Sequence, residues 1–257
     1  MIIDTHCHLY AQEFEDDIEE MIERATANGV EKFYLPAIDS ETTAAMLMLE
    51  HKYPSRCFAM IGLHPCSVKE NYNDELLKIE ALLDKRTFAA VGETGLDFYW
   101  DKSFVKQQYI ALERQAELAL KYKLPIVLHT REAMQETIDT IKKYSPAGLR
   151  GIFHCFGGTV EQAYQIIEAG FLLGIGGVVT YKKSGLSEVL KQIDLKHLVL
   201  ETDAPYLTPV PFRGKRNESS YLKYILDKVA EIKGISVEEV AAVTTANAEM
   251  IFAGSVI

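Results

Sequence analysis

Ile2-Ile3-Asp4-Thr5-His6-Cys7-His8 is the stretch on which the reading of the fold turns. It starts as a short apolar strand and ends in two histidines spaced one residue apart. An open, doubly wound α/β sheet would normally offer a glycine-rich first turn here. Working outward, short apolar runs alternate with longer amphipathic ones. The expected strands are Ile2–Thr5, Lys32–Ala37, Cys57–Gly62, Ala89–Glu93, Ile126–His129, Gly151–Cys155, Phe171–Ile175 and Leu198–Glu201. Helical patterns follow at Phe14–Ala27, Thr42–Lys52, Glu75–Leu83, Phe104–Tyr122, Ala133–Tyr144, Glu161–Ala169, Leu186–Ile193 and Tyr221–Ile232. Such alternation implies parallel strands joined by right-handed crossovers. Eight units close naturally into an α/β (β/α)8 TIM barrel, and the open sheet is the alternative architecture. An additional C-terminal helix is expected at Val237–Phe252, where Ser236 caps and Glu239 can bond back.

The chain has 257 residues, 48% hydrophobic and 25% charged, enough for a sizeable core. Barrels commonly reach about 250 residues as one domain, so residues 1–257 read as a single domain. No linker, low-complexity tract or repeat interrupts them. The longest uncharged stretch, Ala169–Tyr181, has 13 residues, too short to span a membrane. With no visible signal peptide, and with Cys7, Cys57, Cys66 and Cys155 lacking paired spacing, a reducing cytoplasm is expected. The formal net charge of −10 argues against a passive nucleic-acid binder with a basic stripe. It does not exclude an enzyme that handles phosphate through metal ions.

Five of the seven histidines, His6, His8, His64, His129 and His154, fall at or just past the end of an expected strand. His51 and His197 do not. Barrel active sites lie at the C-terminal ends of the strands, so these five converge there with Glu93 and Asp203. Taken singly, the signals are ambiguous. His6-x-His8 is either a ligand pair on one strand face or two polar side chains at a strand end. A lone strand-end histidine is more often a hydrogen-bonded core residue. A buried Glu93 needs a metal or a basic partner in either case. Val199, Glu201 and Asp203 share one face by strand parity, and Asp4 joins Glu201 behind the ligands. Parity puts Cys7 and Cys155 on the opposite face, as packing residues rather than nucleophiles.

Together, four imidazoles and two carboxylates at one barrel end are difficult to explain as packing. Nitrogen and oxygen donors fit Zn, Mn or Mg. Six ligands exceed the needs of one ion, so two divalent ions sharing Glu93 is the economical reading.

These residues resemble a known family. Asp4-Thr5-His6-Cys7-His8-Leu9, Gly62-Leu63-His64-Pro65, Gly92-Glu93-Thr94-Gly95-Leu96-Asp97, Leu124–Arg131, His154-Cys155-Phe156, Glu201–Leu207 and Arg213–Glu218 are similar, in order, to the motifs of TatD metal-dependent hydrolases. The resemblance implies an amidohydrolase-type barrel and metal-dependent deoxyribonuclease activity. It also implies that His6, His8, Glu93 and Asp203 bind one ion, and Glu93, His129 and His154 a second. Asp203 would accept the proton of the attacking water, and His64 would contact substrate phosphate or stabilise the leaving group. Cys66, Gly157 and Ser219 depart from the usual pattern, where histidine, serine and proline are common.

Arg213, Lys215 and Arg216 form a basic cluster in the loop after the eighth strand, and Arg131 follows His129. They read either as holders of flanking phosphates or as ordinary surface ion pairs. Aromatic residues Tyr10, Phe98, Tyr99, Trp100, Tyr206 and Phe212 lie in the same upper loops, for packing or for stacking on a base. The expected reaction is hydrolysis of DNA phosphodiesters at an accessible or single-stranded end, by hydroxide activated between two ions. A metal-dependent amidase, lactonase or aminoacyl ester hydrolase is the alternative, and a non-catalytic metal-bound scaffold a third. No obligate protein partner and no membrane association is read from the sequence. Two divalent ions would carry the formal charge from −10 to −6 and place positive charge where phosphate must sit.

Overall fold

The computed structural model describes residues 1–253. Eight short apolar runs form parallel strands, each followed by a helix. In order these are β1 (Ile2–Asp4), α1 (Ile18–Ala27), β2 (Val30–Leu35), α2 (Thr43–Lys52), β3 (Cys57–Ala59), α3 (Tyr72–Leu83), β4 (Val91–Asp97) and α4 (Val105–Tyr122). Then come β5 (Ile126–Arg131), α5 (Met134–Ile141), β6 (Gly151–Phe153), α6 (Val160–Glu168), β7 (Phe171–Ile175), α7 (Leu186–Leu190), β8 (Leu198–Leu200), α8 (Leu222–Lys233) and α9 (Val237–Phe252).

The strands pair in sequence order, β1-β2-β3 and β4-β5-β6-β7-β8. Backbone bonds close both gaps. Ala89 N–H donates to Ala59 O and Gly92 N–H to Ile61 O, joining β3 to β4. Thr5 N–H donates to Leu200 O at 3.1 Å, joining β8 back to β1. The result is the closed α/β barrel that the strand–helix alternation implies.

Strand parity splits the apolar residues into two cores. Ile3, Tyr34, Met60, Ala90, Val127, Ile152, Leu172 and Val199 fill the barrel interior, drawn from around the whole ring. The larger cluster packs between the strands and the helices. The extra helix α9 closes the N-terminal end of the barrel. Its Ala248, Ile251 and Phe252 join the interior cluster, and Phe252 stacks on Tyr34 at 3.8 Å between ring centroids. Truncating such a buried ring to alanine costs about 3–5 kcal/mol.

Several boundaries differ from the sequence reading. The first helix does not begin at Phe14: a 3-10 turn at Gln12–Phe14 precedes α1. Ser236 caps α9 by accepting from Glu239 N–H, but no return bond from Glu239 is present among the described residues. The reciprocal capping box is at α6, between Thr159 and Gln162. The largest shift concerns β4, which runs past Glu93 to Asp97. Gly95 permits this. Its φ is +149°, and a Cβ there would meet His129 O at 2.0 Å. The register with β5 slips between Val91 and Thr94, so Glu93 sits at an irregularity rather than at a strand end.

Candidate metal centre

His6 and His8 follow β1 in a loop stitched to the loop after β8. Asp203 N–H donates to His6 O at 2.9 Å, and His8 N–H donates to Ala204 O at 2.7 Å. This zipper brings Asp203 beside both imidazoles. The strand parity argued for Glu201 and Asp203 does not operate, because β8 ends at Leu200 and Asp203 adopts φ 57°. Likewise β6 ends at Phe153. Cys155, with φ 49°, therefore lines the same cavity as His154 instead of facing away. Its thiol is pushed up by burial, so it is neutral. Cys7 does turn away, into the core, with Sγ 3.6 Å from Tyr34 O.

Glu93 is the hub. Its Oε2 lies 3.1 Å from His6 Nε2 and 3.5 Å from His8 Nε2. Its Oε1 lies 2.9 Å from both His129 Nδ1 and His154 Nε2, and 3.4 Å from His64 Nε2. The two oxygens therefore face two different sets of nitrogens. Asp203 Oδ1 completes the first set, 3.7 Å from His6 Nε2 and 3.6 Å from His8 Nε2. Glu93 is 2% exposed, and no lysine or arginine contacts it among the described residues.

The electrostatics follow from that. Burial opposes ionisation of Glu93, yet His154, His6 and His64, with the His129 hydrogen bond, hold its carboxyl well below the ordinary range. Burial likewise opposes charge on His8, but Asp203 and Glu93 outweigh it and push it up to about 10. His129 and His154 are raised for the same reason, burial being overcome by Asp97 and Glu93 at one and by Glu93 and Glu201 at the other. His6 and His64 are lowered, first by burial and then, respectively, by His154 and by His129 beside them.

The outer ring nitrogens divide these histidines into two kinds. Tyr10 O–H donates to Pro36 O, so its oxygen accepts from His8 Nδ1 at 3.1 Å. Asp97 Oδ2 accepts from His129 Nε2 at 2.9 Å. Glu201 Oε1 lies 3.3 Å from His154 Nδ1. For His8 and His129 the outer oxygen accepts the ring proton, so in the neutral ring the inner nitrogen faces Glu93 with its lone pair. Among the described residues, His6 Nδ1 and His154 Nδ1 both lack a hydrogen-bond partner, the latter despite Glu201 Oε1 beside it. His64 is the reverse. Cys66 N–H donates to its Nδ1 at 3.1 Å, so the neutral ring carries its proton on the inner Nε2. His64 thus presents a donor, although His64, Glu93 and His129 lie close enough to form a ligand group. The nitrogens of His6, His8, His129 and His154 with the oxygens of Glu93 and Asp203 fit divalent ions of the Zn, Mn or Mg type.

Asp4 and Glu201 lie behind this ring. Asp4 accepts from Thr202 Oγ1 and Ser219 Oγ, both at 2.6 Å, and burial pushes it up to about 7 against those bonds. Ser219 is therefore part of the support. Glu201 accepts from Cys155 N–H and fits only because residue 174 is glycine. A Cβ there would lie 2.3 Å from Glu201 Oε2.

Three supports, Gln108, Gln115 and Asp97, are not singled out by the sequence. Gln108 and Gln115 sit seven residues apart on the buried face of α4. Gln108 exchanges bonds with the Asp97 backbone, and Gln115 does the same with the Leu63 backbone next to His64. Two glutamines on an otherwise apolar helix face were the available signal. Asp97 was missed because β4 was expected to end at Glu93.

The cavity over the centre has a volume of about 690 Å³ and is lined by His8, His64, Glu93, His129, His154 and Asp203, with Arg131 on its rim. Arg213, Lys215 and Arg216 do not line it. Arg216 is bidentate with Asp17 at 2.6 and 2.7 Å, the ion pairing that stood as the alternative to phosphate binding for this cluster. The physical reason is the acidic run before α1, which captures the nearest guanidinium. Arg213 lies 4.4 Å over the Tyr181 ring, and Lys215 Nζ 5.8 Å from the Phe212 ring centroid. His51 and His197 lie apart from the centre.

Comparison with known proteins fits this arrangement. A family model described as TatD related DNase matches residues 3–253. A Bacillus subtilis protein named as the uncharacterized metal-dependent hydrolase YabD is 41% identical over 254 residues, covering 98% of this chain and 99% of its own. An Erwinia tasmaniensis protein named as the 3'-5' ssDNA/RNA exonuclease TatD is 31% identical over 257 residues, covering 98% and 99%. The crystal structure of YjjV, a TatD homologue from Escherichia coli K12, superposes with a TM-score of 0.92 at 30% identity, covering 98% of each chain. No helix among the described residues is long and apolar enough to cross a membrane.

Proposed function

The chain belongs to the TatD-related DNase family of metal-dependent hydrolases, and on that premise we propose that it hydrolyses DNA phosphodiester bonds, removing nucleotides from an unpaired strand end. The observation that carries this reading is Glu93. It is one buried carboxylate whose two oxygens face separate sets of imidazoles, beneath a rim that holds Arg131, which has no carboxylate partner among the described residues.

In this reading His6, His8, Glu93 and Asp203 hold one ion, and Glu93, His129 and His154 hold a second. When bound, the pair supplies Lewis acidity that activates water and offsets charge on the phosphoryl oxygens. The protein's own groups do the rest. Asp203 Oδ1 faces His6 and His8, leaving Oδ2 to take the proton of the attacking water. His64 Nε2–H donates to a phosphoryl or leaving oxygen, a role its Cys66 bond prepares it for. Arg131 receives the neighbouring phosphate. Arg213 and Lys215 stand further out and serve only a longer strand. The named activity of the Erwinia relative supports a single-stranded substrate.

The test is a metal-quantified preparation assayed on single-stranded DNA, duplex DNA, RNA and a carboxyl-ester panel with Mg²⁺, Mn²⁺ or Zn²⁺. Nucleotide release from single-stranded DNA, abolished by chelation and by Asp203→Asn, is expected. Cleavage that survives both treatments overturns the mechanism. Ester turnover without nucleotide release overturns the substrate in favour of an amidase, lactonase or aminoacyl ester hydrolase.

A further inference from the structure

The rim of the cavity carries a group of side chains that the chemistry at Glu93 does not require. Arg131, at the end of β5, is exposed and has no carboxylate partner among the described residues. Its guanidinium instead lies 3.9 Å from the Tyr99 ring centroid and 5.1 Å from that of Trp100. The two rings meet edge to face at 4.9 Å. Trp100 is 66% exposed and Tyr99 48% exposed. The loop that bears them is nonetheless fixed: the N–H groups of Tyr99 and Trp100 both donate to Asp97 Oδ1, at 2.9 and 3.1 Å, and Asp97 is buried. Rigid exposed aromatic area beside a cation, on the wall of a reactive cavity, is a preorganised surface for a ligand.

Charge singles out the same place. Lys69 is paired with Asp101 at 2.8 Å, and Arg216 with Asp17. Apart from the histidines, Arg131 is the only cationic side chain among the residues lining the cavity. Across the mouth stands Tyr206, 50% exposed, from the loop after β8. In an eight-stranded ring β4 and β8 are half a turn apart, so the Trp100 shelf and Tyr206 wall opposite sides.

We infer that Tyr99, Trp100 and Arg131 form a subsite for one unpaired nucleotide beside the bond being cut. The base stacks on the aromatic shelf, and the free guanidinium N–H groups take the adjoining phosphate. The chemical class of this ligand rests on the phosphodiesterase reading above. A base inside a duplex has both faces covered, so the subsite demands a frayed or single-stranded end. Stacking uses a π-face that every base has, so the subsite discriminates strand state and not sequence.

The chain has one tryptophan, so its emission reports on this shelf alone. Metal-loaded protein is titrated with a phosphorothioate oligothymidylate, the same strand with abasic terminal residues, and a blunt duplex. Saturable quenching by the first, with affinity about tenfold or more weaker for the other two, is expected. In kinetics on single-stranded DNA, Trp100→Leu raises KM by about tenfold and Trp100→Phe restores most of the loss. Arg131→Ala raises KM and flattens its dependence on salt. Trp100 is exposed, and circular dichroism verifies that each variant is folded. Cleavage of DNA with no fluorescence change and an unaltered KM in Trp100→Leu overturns the subsite and leaves the nuclease reading standing. Base-dependent quenching with no cleavage under any of the three metals supports the subsite and overturns the nuclease reading. Neither quenching nor cleavage overturns both.

Discussion

Asp97 grips His129: its Oδ2 accepts from His129 Nε2 at 2.9 Å while the carboxylate stays buried at 1% exposure. The hydrogen bond fixes which ring nitrogen carries the proton and so turns Nδ1 toward Glu93. Asp97 Oδ1 meanwhile holds the backbone of Tyr99 and Trp100. Outer partners of metal-bound histidines typically contribute about 10–100-fold to metal affinity or activity. Asp97→Ala should therefore lose about 10–100-fold in metal affinity, measured by competition with a chromogenic chelator. Unchanged metal affinity in a folded Asp97→Ala protein would show that the contact is only structural.

His64 and Glu93 should separate in the same assay. Glu93→Gln removes the negative charge shared by both nitrogen sets and turns one of the two oxygens into an N–H donor, so metal content should fall along with activity. His64 carries its proton on the inner nitrogen, so His64→Ala should keep its metal. Removal of one well-placed donor to a developing charge costs about 10²–10³-fold in kcat. Metal analysis beside kcat tests the pair. A His64→Ala protein that lost half its metal would make His64 a ligand and contradict the Cys66-imposed tautomer.

Metal uptake should release protons. His8 is pushed up to about 10, so near neutral pH it holds a proton that a metal must displace, and the upward shifts of His129 and His154 act in the same direction. Apparent affinity should rise with pH through this window. The stability of metal-free protein should move the other way. A raised imidazole pKa stabilises the fold fully below the unfolded value near 6.5, and this is lost as pH climbs through about 10. The depressed pKa values of Glu93 and Asp203 stabilise above the ordinary carboxylate range and fail as the pH falls below it. The Tm of chelated protein should thus decline from pH 6.5 toward 10, and Zn²⁺ or Mn²⁺ should reverse the slope. Proton-neutral metal binding, followed with a pH indicator in dilute buffer, would contradict this account.

How much of this was legible in the sequence depends on what each residue had to do. The alternation of apolar runs reports burial directly, so the eight strands, their order and α9 could be read. The histidines converged because a barrel gathers all strand ends at one rim, whatever the exact boundaries. Parity was a poor guide beyond the strands. Asp203 and Cys155 both adopt positive φ in loops, where side chains no longer alternate. Asp97, Gln108 and Tyr10 could not be found as supports, because each acts through a contact that only the folded chain makes. The Arg216–Asp17 pairing is hidden in the sequence for a related reason. A basic cluster in sequence says nothing about which cation a neighbouring acidic helix will capture.

That capture gives Arg216 a different expected phenotype. Its guanidinium joins the loop after β8 to Asp17 ahead of α1, and Arg24 extends the pairing to Glu218 at 2.8 Å. Arg216→Ala should lower stability by about 0–1 kcal/mol, the range for partly exposed pairs, and leave KM for DNA near wild type. The Arg216 hydrogen bond, with help from Arg24, holds Asp17 down at about 2. A depressed carboxyl pKa stabilises above its unfolded value near 3.8 and is lost as pH falls through about 2, so the wild type and the variant should converge in Tm below that window. A double-mutant cycle with Asp17→Asn, run at neutral pH and again near pH 2, checks the coupling. A rise in KM for single-stranded DNA beyond about tenfold, with Tm unchanged, would return Arg216 to the substrate path.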